Sequence, residues 1–360
     1  MPDFDALADI ALRHGARIGV TDTSPFPQVE AEIRQRNESG AAGSLGFTYR
    51  SPSVSTAPGV SFPWATSIVV VAVPYLDEGD GVGGPDEASG SRSVARFADR
   101  DRYDGLRRVL DELARVIEES GHRCEVVYDD DRLVDRAVAV RAGIAWWGKS
   151  TMVLAPGLGP WFLIGSVVTD ARYSPTEPMT RSCGTCSACI PACPTGAIVE
   201  PGVLDARRCL AAIFQSRGAI PVEVRHAAGG RVYGCDECLV ACPPGDTALN
   251  ALHAAPTVDP SDVLCLSDVE LDSRFAHWYV PSRNMRFIRR NALVAVGNLG
   301  RPDDVNLVAG YLGHPDPLLR QHAAWALRAI GGDRSEQILA SALLAESDSG
   351  VRSEQIVDSA

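Results

Sequence analysis

The sequence is almost free of lysine: of its 34 basic residues only Lys149 is a lysine, and all the others are arginines. It also lacks a run of about 18 apolar residues, the length that a membrane-spanning helix needs. Its first residues include acids where a secretory signal carries basic side chains, so we expect a cytoplasmic protein that does not bind a membrane. A net charge of -12 at pH 7 argues against a uniformly basic nucleic-acid-binding protein.

Helical and strand patterns alternate over the first 170 residues, which predicts an α/β domain. Apolar residues recur at helical spacing at 4–14, 102–120 and 133–142. Runs rich in β-branched residues predict strands at 67–73, 123–128 and 161–169. The 360 residues leave room for further domains after this one.

Cysteine is concentrated in one region. Eight of the ten cysteines lie between residues 183 and 242, and the first four form the run C-x2-C-x2-C-x3-C-P. In bacterial ferredoxins three thiolates of this run hold one 4Fe-4S cluster, and the fourth binds a second cluster. The run therefore predicts two clusters. Such spacing in a chain without an export signal argues against disulfide bonds.

The cysteines downstream supply the remaining ligands. Crossed ligation, as in two-cluster ferredoxins, divides the eight thiolates into two sets of four. The first set is Cys183, Cys186, Cys189 and Cys242, and the second set is Cys193, Cys209, Cys235 and Cys238. A structural zinc site is the alternative interpretation, because paired C-x2-C groups also suit tetrahedral zinc.

The last hundred residues have the pattern of a helical repeat. Residues 290–299 (R-N-A-L-V-A-V-G-N-L) and 321–330 (Q-H-A-A-W-A-L-R-A-I) align at an offset of 31 residues, and each segment is followed by glycine and a second helical pattern. This spacing is similar to HEAT-type helical pairs. We therefore predict a multidomain α+β protein with domains at 1–170, 171–260 and 261–360.

In order along the chain, R-A-G-I-A-W-W-G-K-S (141–150), the double cysteine run and R-N-A-L-V-A-V-G-N (290–298) resemble the epoxyqueuosine reductases. The resemblance covers nearly the whole chain. It implies an N-terminal α/β domain related to nitroreductases that binds cobalamin, a ferredoxin-like domain with two 4Fe-4S clusters, and C-terminal HEAT-like repeats. The implied activity is the reduction of epoxyqueuosine to queuosine in the tRNA anticodon loop.

The resemblance also implies a catalytic acid. In the family an aspartate follows a strand in a loop reading roughly Val-Asp-Thr-Gly-Pro, and Asp129 of Y-D-D-D-R-L (128–133) matches it. We expect Asp129 near the cobalt of cobalamin. Neighbouring carboxylates should raise the pKa of at least one aspartate here, while Arg132 opposes this. The alternative is an acidic turn that faces water.

Lys149 lies in W-W-G-K-S, where the family usually has Gly-Lys-Asn. Keeping one lysine in an arginine-rich chain suggests that the position needs a compact charge. The resemblance implies that Lys149, with Trp147 and Ser150, lines the cobalamin or substrate pocket. A surface lysine without a function is the alternative.

The segment R-N-M-R-F-I-R-R has four arginines and no acid. We expect these arginines to bind phosphates of the tRNA anticodon stem. The alternative is a solvated face of a repeat helix. The four residues are Arg283, Arg286, Arg289 and Arg290.

Three functions stay open at this point. The first is the tRNA enzyme, acting as a monomer with an external low-potential donor of the ferredoxin or flavodoxin type. The second is a corrinoid and iron-sulfur reductase of another substrate, similar to reductive dehalogenases. The third is an electron carrier without catalysis.

Overall fold

A computed structural model describes residues 3–76, 93–246 and 258–356. The described residues form two compact units, each assembled from separate stretches of sequence. The first unit contains residues 3–76, 101–207 and 237–246, and the second contains residues 93–100, 208–236 and 258–356. Within the described part of the chain, no helix is both long and apolar enough to cross a membrane.

The first unit is built on a four-stranded antiparallel sheet with the strand order β1-β2-β6-β3. Strand β2 is buried along almost its whole length, as its run of valines predicts. The strands of this unit are β1 (Arg17–Thr21), β2 (Ser67–Pro74), β3 (Cys124–Val127), β4 (Trp146–Trp147), β5 (Val153–Leu154), β6 (Phe162–Thr169), β7 (Ile198–Glu200) and β8 (Val203–Leu204).

Helices cover both faces of this sheet. Alternate residues of β2 point to opposite faces, so Val69 and Val71 join one apolar core while Ile68 and Val70 join the other. Helices Phe4–Arg13 and Tyr103–Glu119 pack in the first core, and Pro27–Glu38 and Asp135–Arg141 in the second. The first unit also has helical segments at Phe47–Tyr49, Pro52–Ser55, Pro58–Ser61, Cys189–Ala192, Glu237–Val240 and Pro243–Gly245.

The predicted mixture of helices and strands is confirmed. The strands predicted at 67–73, 123–128 and 161–169 correspond to β2, β3 and β6. The helices predicted at 4–14, 102–120 and 133–142 are Phe4–Arg13, Tyr103–Glu119 and Asp135–Arg141.

The second unit is helical. The 31-residue offset holds for whole helices, because Arg286–Leu299 and Pro317–Ile330 begin and end 31 residues apart. These two helices pack closely: a Cβ on Gly297 would lie 2.8 Å from the Cα atom of Ala326. The other helical segments are Arg96–Ala98, Leu210–Phe214, Val222–Ala228, Pro260–Cys265, Asp268–Arg274, Pro281–Arg283, Pro302–Asp304, Val305–Gly310, Tyr311–Gly313, Asp333–Ala345 and Ser349–Ile356.

Candidate active site and metal centre

The predicted acid loop follows β3. Asp129 has a left-handed backbone conformation with φ of 48°, which is uncommon for a residue other than glycine. Ser55 fixes the loop from the side, because its Oγ donates a hydrogen bond to the carbonyl oxygen of Asp131 (2.5 Å). Asp129 is solvent-exposed. The loop therefore holds Asp129 at the surface on a constrained backbone, with its carboxyl group partly buried.

The pKa values of the two neighbouring carboxyl groups, Asp129 and Asp130, are shifted in opposite directions. Arg132 donates from Nε and Nη2 to the carboxylate of Asp130 (2.7–3.1 Å), and this hydrogen bonding lowers the pKa of Asp130. The pKa of Asp129 is raised, first by partial burial of its carboxyl group and then by the negative charge of Asp130. Arg132 thus stabilises the ionised form of Asp130, whereas the environment of Asp129 favours a proton.

A third carboxyl group belongs to the same region and was missed by the sequence reasoning. Asp135 is the first residue of helix Asp135–Arg141, and its Oδ1 is buried without a hydrogen-bond partner in the described part of the chain. Burial, followed by the charge of Asp129, raises the pKa of Asp135 well above its ordinary value. The surrounding residues Leu133, Val134 and Ala137 are buried apolar side chains, and this pattern was the available signal.

The hairpin β4–β5 carries the other residues predicted to bind the cofactor. Trp146 is buried, whereas the side chain of Trp147 is 45% exposed. Ser150 is buried, and its Oγ accepts a hydrogen bond from the backbone N–H of Met152 (3.4 Å) within the tip of the hairpin. The acid loop and the hairpin share one apolar core, to which Leu133 and Val153 both belong.

Lys149 lies at the tip of this hairpin, and its side chain contacts the cysteine-rich region. Its Nζ donates to the carbonyl oxygen of Gly184 (2.8 Å), inside the first cysteine run. The structure therefore joins Lys149 to the predicted ligands of the first cluster.

The four cysteines predicted to hold the first cluster lie together in the first unit. Burial raises the pKa of Cys242 to about 12, and the next contributions come from the thiols of Cys183, Cys189 and Cys186. Residue Cys242 is 53 to 59 positions away from these three in sequence. Helices Cys189–Ala192 and Glu237–Val240 pack against each other and bring the two runs together.

The four cysteines predicted to hold the second cluster are divided between the two units. Burial alone would raise the pKa of Cys193, but hydrogen bonds from Thr195, Ala197 and Ile198 outweigh it and lower this pKa. The backbone N–H of Ala197 donates to Sγ of Cys193 at 3.1 Å. Cys238 also belongs to the first unit, and Cys209 and Cys235 belong to the second.

None of the ten cysteines forms a disulfide bond. Among the described residues, no group of three or more His, Cys, Asp or Glu side chains converges closely enough to hold a single metal ion. A cluster of four irons spaces its ligands more widely than one ion does, because each thiolate binds a different iron. Cys183, Cys186 and Cys189 all lie within electrostatic range of Cys242, and four such thiols are the donor set that a 4Fe-4S cluster needs.

The arginine segment requires a correction. Arg290 is fully buried and donates to the carbonyl oxygens of Ser216, Ile213 and Phe214 (2.9–3.2 Å), as well as to that of Gly218. The expected phosphate contact is therefore wrong for Arg290. Burial, followed by the charge of Arg286, lowers its pKa to about 9, so the guanidinium stays protonated at neutral pH.

The remaining three arginines differ in exposure. The side chain of Arg289 is 11% exposed and pairs with Asp268 at 2.9 Å, which leaves little of it for a ligand. The side chains of Arg283 and Arg286 are each 40% exposed. Only these two retain a substantial accessible surface.

Comparison with known proteins places the whole chain. A family model described as a 4Fe-4S double cluster binding domain matches residues 182–245, and a model of HEAT repeats matches residues 287–357. The epoxyqueuosine reductase of Staphylococcus aureus is 31% identical over 353 residues, which cover 94% of this chain and 91% of that protein. The chain belongs to the epoxyqueuosine reductase family. It is an oxidoreductase, like the other members of this family.

Solved epoxyqueuosine reductases have the same fold. One, solved with an epoxyqueuosine-modified stem loop of tRNA-Tyr, has a TM-score of 0.87 and 29% identity, and the match covers 98% of this chain and 96% of that one. The Bacillus subtilis epoxyqueuosine reductase, solved with an aspartate-bearing catalytic loop swung out of the active site, has a TM-score of 0.85 and 27% identity, with the same coverage. The prediction of 4Fe-4S binding is confirmed by the family model, as is the prediction of HEAT-type repeats, and the zinc alternative receives no support.

Proposed function

We propose that this protein reduces epoxyqueuosine to queuosine in the anticodon loop of a tRNA, using cobalamin and electrons that pass through two 4Fe-4S clusters. The observation that carries this proposal is the likeness, over 98% of the chain, to an epoxyqueuosine reductase solved with an epoxyqueuosine-modified tRNA stem loop. The reductive-dehalogenase-like alternative and the electron carrier have no comparable observation in their favour.

Asp129 is the proposed proton donor. Opening an epoxide and removing its oxygen requires a proton on the departing oxygen, and a carboxylic acid with a raised pKa is suited to deliver it. The pKa of Asp129 is raised, and the Bacillus subtilis relative has a catalytic loop that carries an aspartate. Arg132 meanwhile lowers the pKa of Asp130, so Asp129 is the member of the pair that is better suited to carry a proton.

The residues around the hairpin fit a bound cobalamin. Trp147 exposes a large aromatic surface next to the buried Trp146, and exposed aromatic surface of this kind is typical of binding sites. The loop that carries Asp129 packs on the same apolar core as the hairpin. When bound, cobalamin would supply the two-electron reduction of the epoxide carbon–oxygen bond. The nitroreductase-like character of this domain is part of the proposal.

The cluster ligands are proposed as two crossed sets: Cys183, Cys186, Cys189 and Cys242 for the first cluster, and Cys193, Cys209, Cys235 and Cys238 for the second. Cys183 and Cys186 contribute to the raised pKa of both Cys189 and Cys242, which supports the first set. An external donor of the ferredoxin or flavodoxin type would supply the electrons. We also propose the domain limits 1–170, 171–260 and 261–360, a monomer, and a cytoplasmic location.

For tRNA, the proposal retains Arg283 and Arg286, whose side chains are partly exposed. Each guanidinium already forms one ion pair, with Asp272 and Asp316 respectively, so a phosphate would have to compete with a carboxylate. The contribution of each arginine to tRNA affinity should therefore be moderate.

The decisive experiment uses the full chain, reconstituted anaerobically with iron, sulfide and cobalamin. It is incubated with a chemical reductant and epoxyqueuosine-bearing tRNA, and the digested nucleosides are analysed by mass. Loss of one oxygen, giving queuosine, supports the proposal. Unchanged tRNA from protein whose clusters and cobalamin are both reducible would favour a different substrate, and protein that binds no cobalamin would favour the electron carrier.

A further inference from the structure

Lys149 is held against the predicted ligand loop of the first cluster. Its Nζ donates to the carbonyl oxygen of Gly184 at 2.8 Å, and Gly184 lies between Cys183 and Cys186. The backbone carbonyl oxygen of Lys149 accepts a hydrogen bond from the backbone N–H of Gly202 at 2.9 Å. The only lysine of the chain thus connects the hairpin tip to two segments of the cysteine-rich region.

The hairpin tip that carries Lys149 has a defined shape. The backbone N–H of Gly148 donates to the carbonyl oxygen of Met152 (2.8 Å), and that of Thr151 donates to the carbonyl oxygen of Gly148 (3.1 Å). A Cβ on Gly148 would lie 2.9 Å from the same Met152 oxygen, so the turn has room only for glycine. Thr151 takes φ of 69°. This closed turn sets the point from which the lysine side chain reaches Gly184.

A cation at this place acts on the cluster through its charge. Reduction of a 4Fe-4S cluster adds one electron to a centre that already carries four thiolates, and net charge near the cluster is one determinant of its reduction potential. A fixed positive charge stabilises the reduced form more than the oxidised form, because the reduced form is the more negative. The hydrogen bond to Gly184 holds the ammonium next to the ligand loop.

We propose that Lys149 is a positioning residue for the first 4Fe-4S cluster: its ammonium group, bound to the carbonyl oxygen of Gly184, raises the reduction potential of this cluster and orders the turn that carries Cys183 and Cys186. This role differs from the cobalamin contact that the family resemblance implied for Lys149. It rests on the proposed ligation of the first cluster and is independent of tRNA. The electron comes from the external donor, which is oxidised as the cluster is reduced.

The test is a redox titration of the full chain, reconstituted with both clusters and followed by electron paramagnetic resonance, without cobalamin or tRNA. Lys149→Gln removes the charge and keeps a hydrogen-bond donor, whereas Lys149→Arg keeps the charge. Arg115→Gln is the matched control, because it removes one positive charge from a side chain that is 63% exposed on helix Tyr103–Glu119.

We expect Lys149→Gln to lower the midpoint potential of one cluster by about a tenfold change in the reduction equilibrium, which is about 59 mV for a one-electron couple. The other cluster should shift less, Lys149→Arg should retain most of the potential, and the control should leave both clusters unchanged. Iron content is measured in every sample.

Each further outcome decides the question. Unchanged potentials in Lys149→Gln with full iron content would overturn the proposal, as would equal shifts in Lys149→Gln and the control. Loss of about half the iron in Lys149→Gln but not in Lys149→Arg supports it, since the retained charge then holds the ligand loop. Equal loss of iron in both variants would show that charge is not what matters. Because no tRNA is present, failure here is distinguishable from failure of the proposed reductase activity.

Discussion

The acid loop at residues 129–132 keeps its first residue at the surface, whereas the arginine segment at residues 283–290 places its last guanidinium in the core. Asp129 is exposed on a backbone of positive φ and has a raised pKa, the combination of an accessible and adjustable proton donor. The guanidinium of Arg290 donates hydrogen bonds to backbone carbonyl oxygens. Charged residues in two short segments thus differ in environment, and the difference lies in which groups form hydrogen bonds with them.

The largest effect is expected at the acid loop. Asp129→Asn removes the proposed donor without changing the size of the side chain, so turnover of epoxyqueuosine-bearing tRNA should fall by about 10²- to 10⁴-fold. Iron content and cobalamin absorption should match the wild type. The exposed neighbour offers the control, since Asp131→Asn should retain most of the activity. Normal turnover by Asp129→Asn would move the acid to another residue.

In the arginine segment, a substitution of Arg290 should lower the free energy of unfolding. Arg290→Met leaves the carbonyl oxygens of Ser216, Ile213 and Phe214 without their buried donor, which should cost about 3 kcal/mol of unfolding free energy. Denaturant unfolding followed by circular dichroism measures this loss. Arg286→Gln, at a side chain that is 40% exposed, should cost less than about 1 kcal/mol. Equal losses in the two variants would contradict the structural role of Arg290.

The same two arginines should differ in tRNA binding. If Arg286 contacts a phosphate, Arg286→Gln reduces the slope of log affinity against log salt by about 1 and weakens binding at low salt. Filter binding at several salt concentrations measures the slope, with Arg115→Gln as the control for loss of one surface charge. A slope equal to that of the wild type would assign Arg286 to a solvated face of the repeat.

The smallest effect concerns pH. The charge of Asp130 contributes to the raised pKa of Asp129, so Asp130→Asn should lower this pKa, while Arg132 keeps its ion pair with Glu125. A general acid acts in its protonated form, so activity is present below the pKa of Asp129 and is lost above it. The alkaline limb of the kcat profile should therefore move to lower pH in Asp130→Asn, and it should stay in place in Asp131→Asn. A limb that moves to higher pH would be inconsistent with this electrostatic coupling.

Local patterns were sufficient for the elements that bury one continuous surface. The valine run of β2 predicts a buried strand, and the 31-residue offset predicts the helices Arg286–Leu299 and Pro317–Ile330. Strand β1 was missed, because it has only five residues and contains Gly19. That glycine is required by tertiary packing, since a Cβ there would lie 2.1 Å from the carbonyl oxygen of Ala142.

Side-chain environments were less accessible from the sequence. Charge density in residues 283–290 does not say which arginine is buried. Helical spacing narrows the choice to Arg289 and Arg290, because each lies three or four positions from core residues on both sides. For Asp129, the family motif indicated the position. The pairing of Arg132 with Asp130, which decides the environment of Asp129, depends on side-chain geometry that no local pattern contains.

Because Lys149 is the only lysine in the sequence, an amine reagent that modifies a lysine side chain can modify only this one. Its nitrogen is hydrogen-bonded to the Gly184 carbonyl oxygen, so an acylating reagent must first break that contact. The rate at which this amine is acylated would therefore report how tightly the neighbouring thiolate turn is closed, and it would do so without a spectroscopic signal from iron.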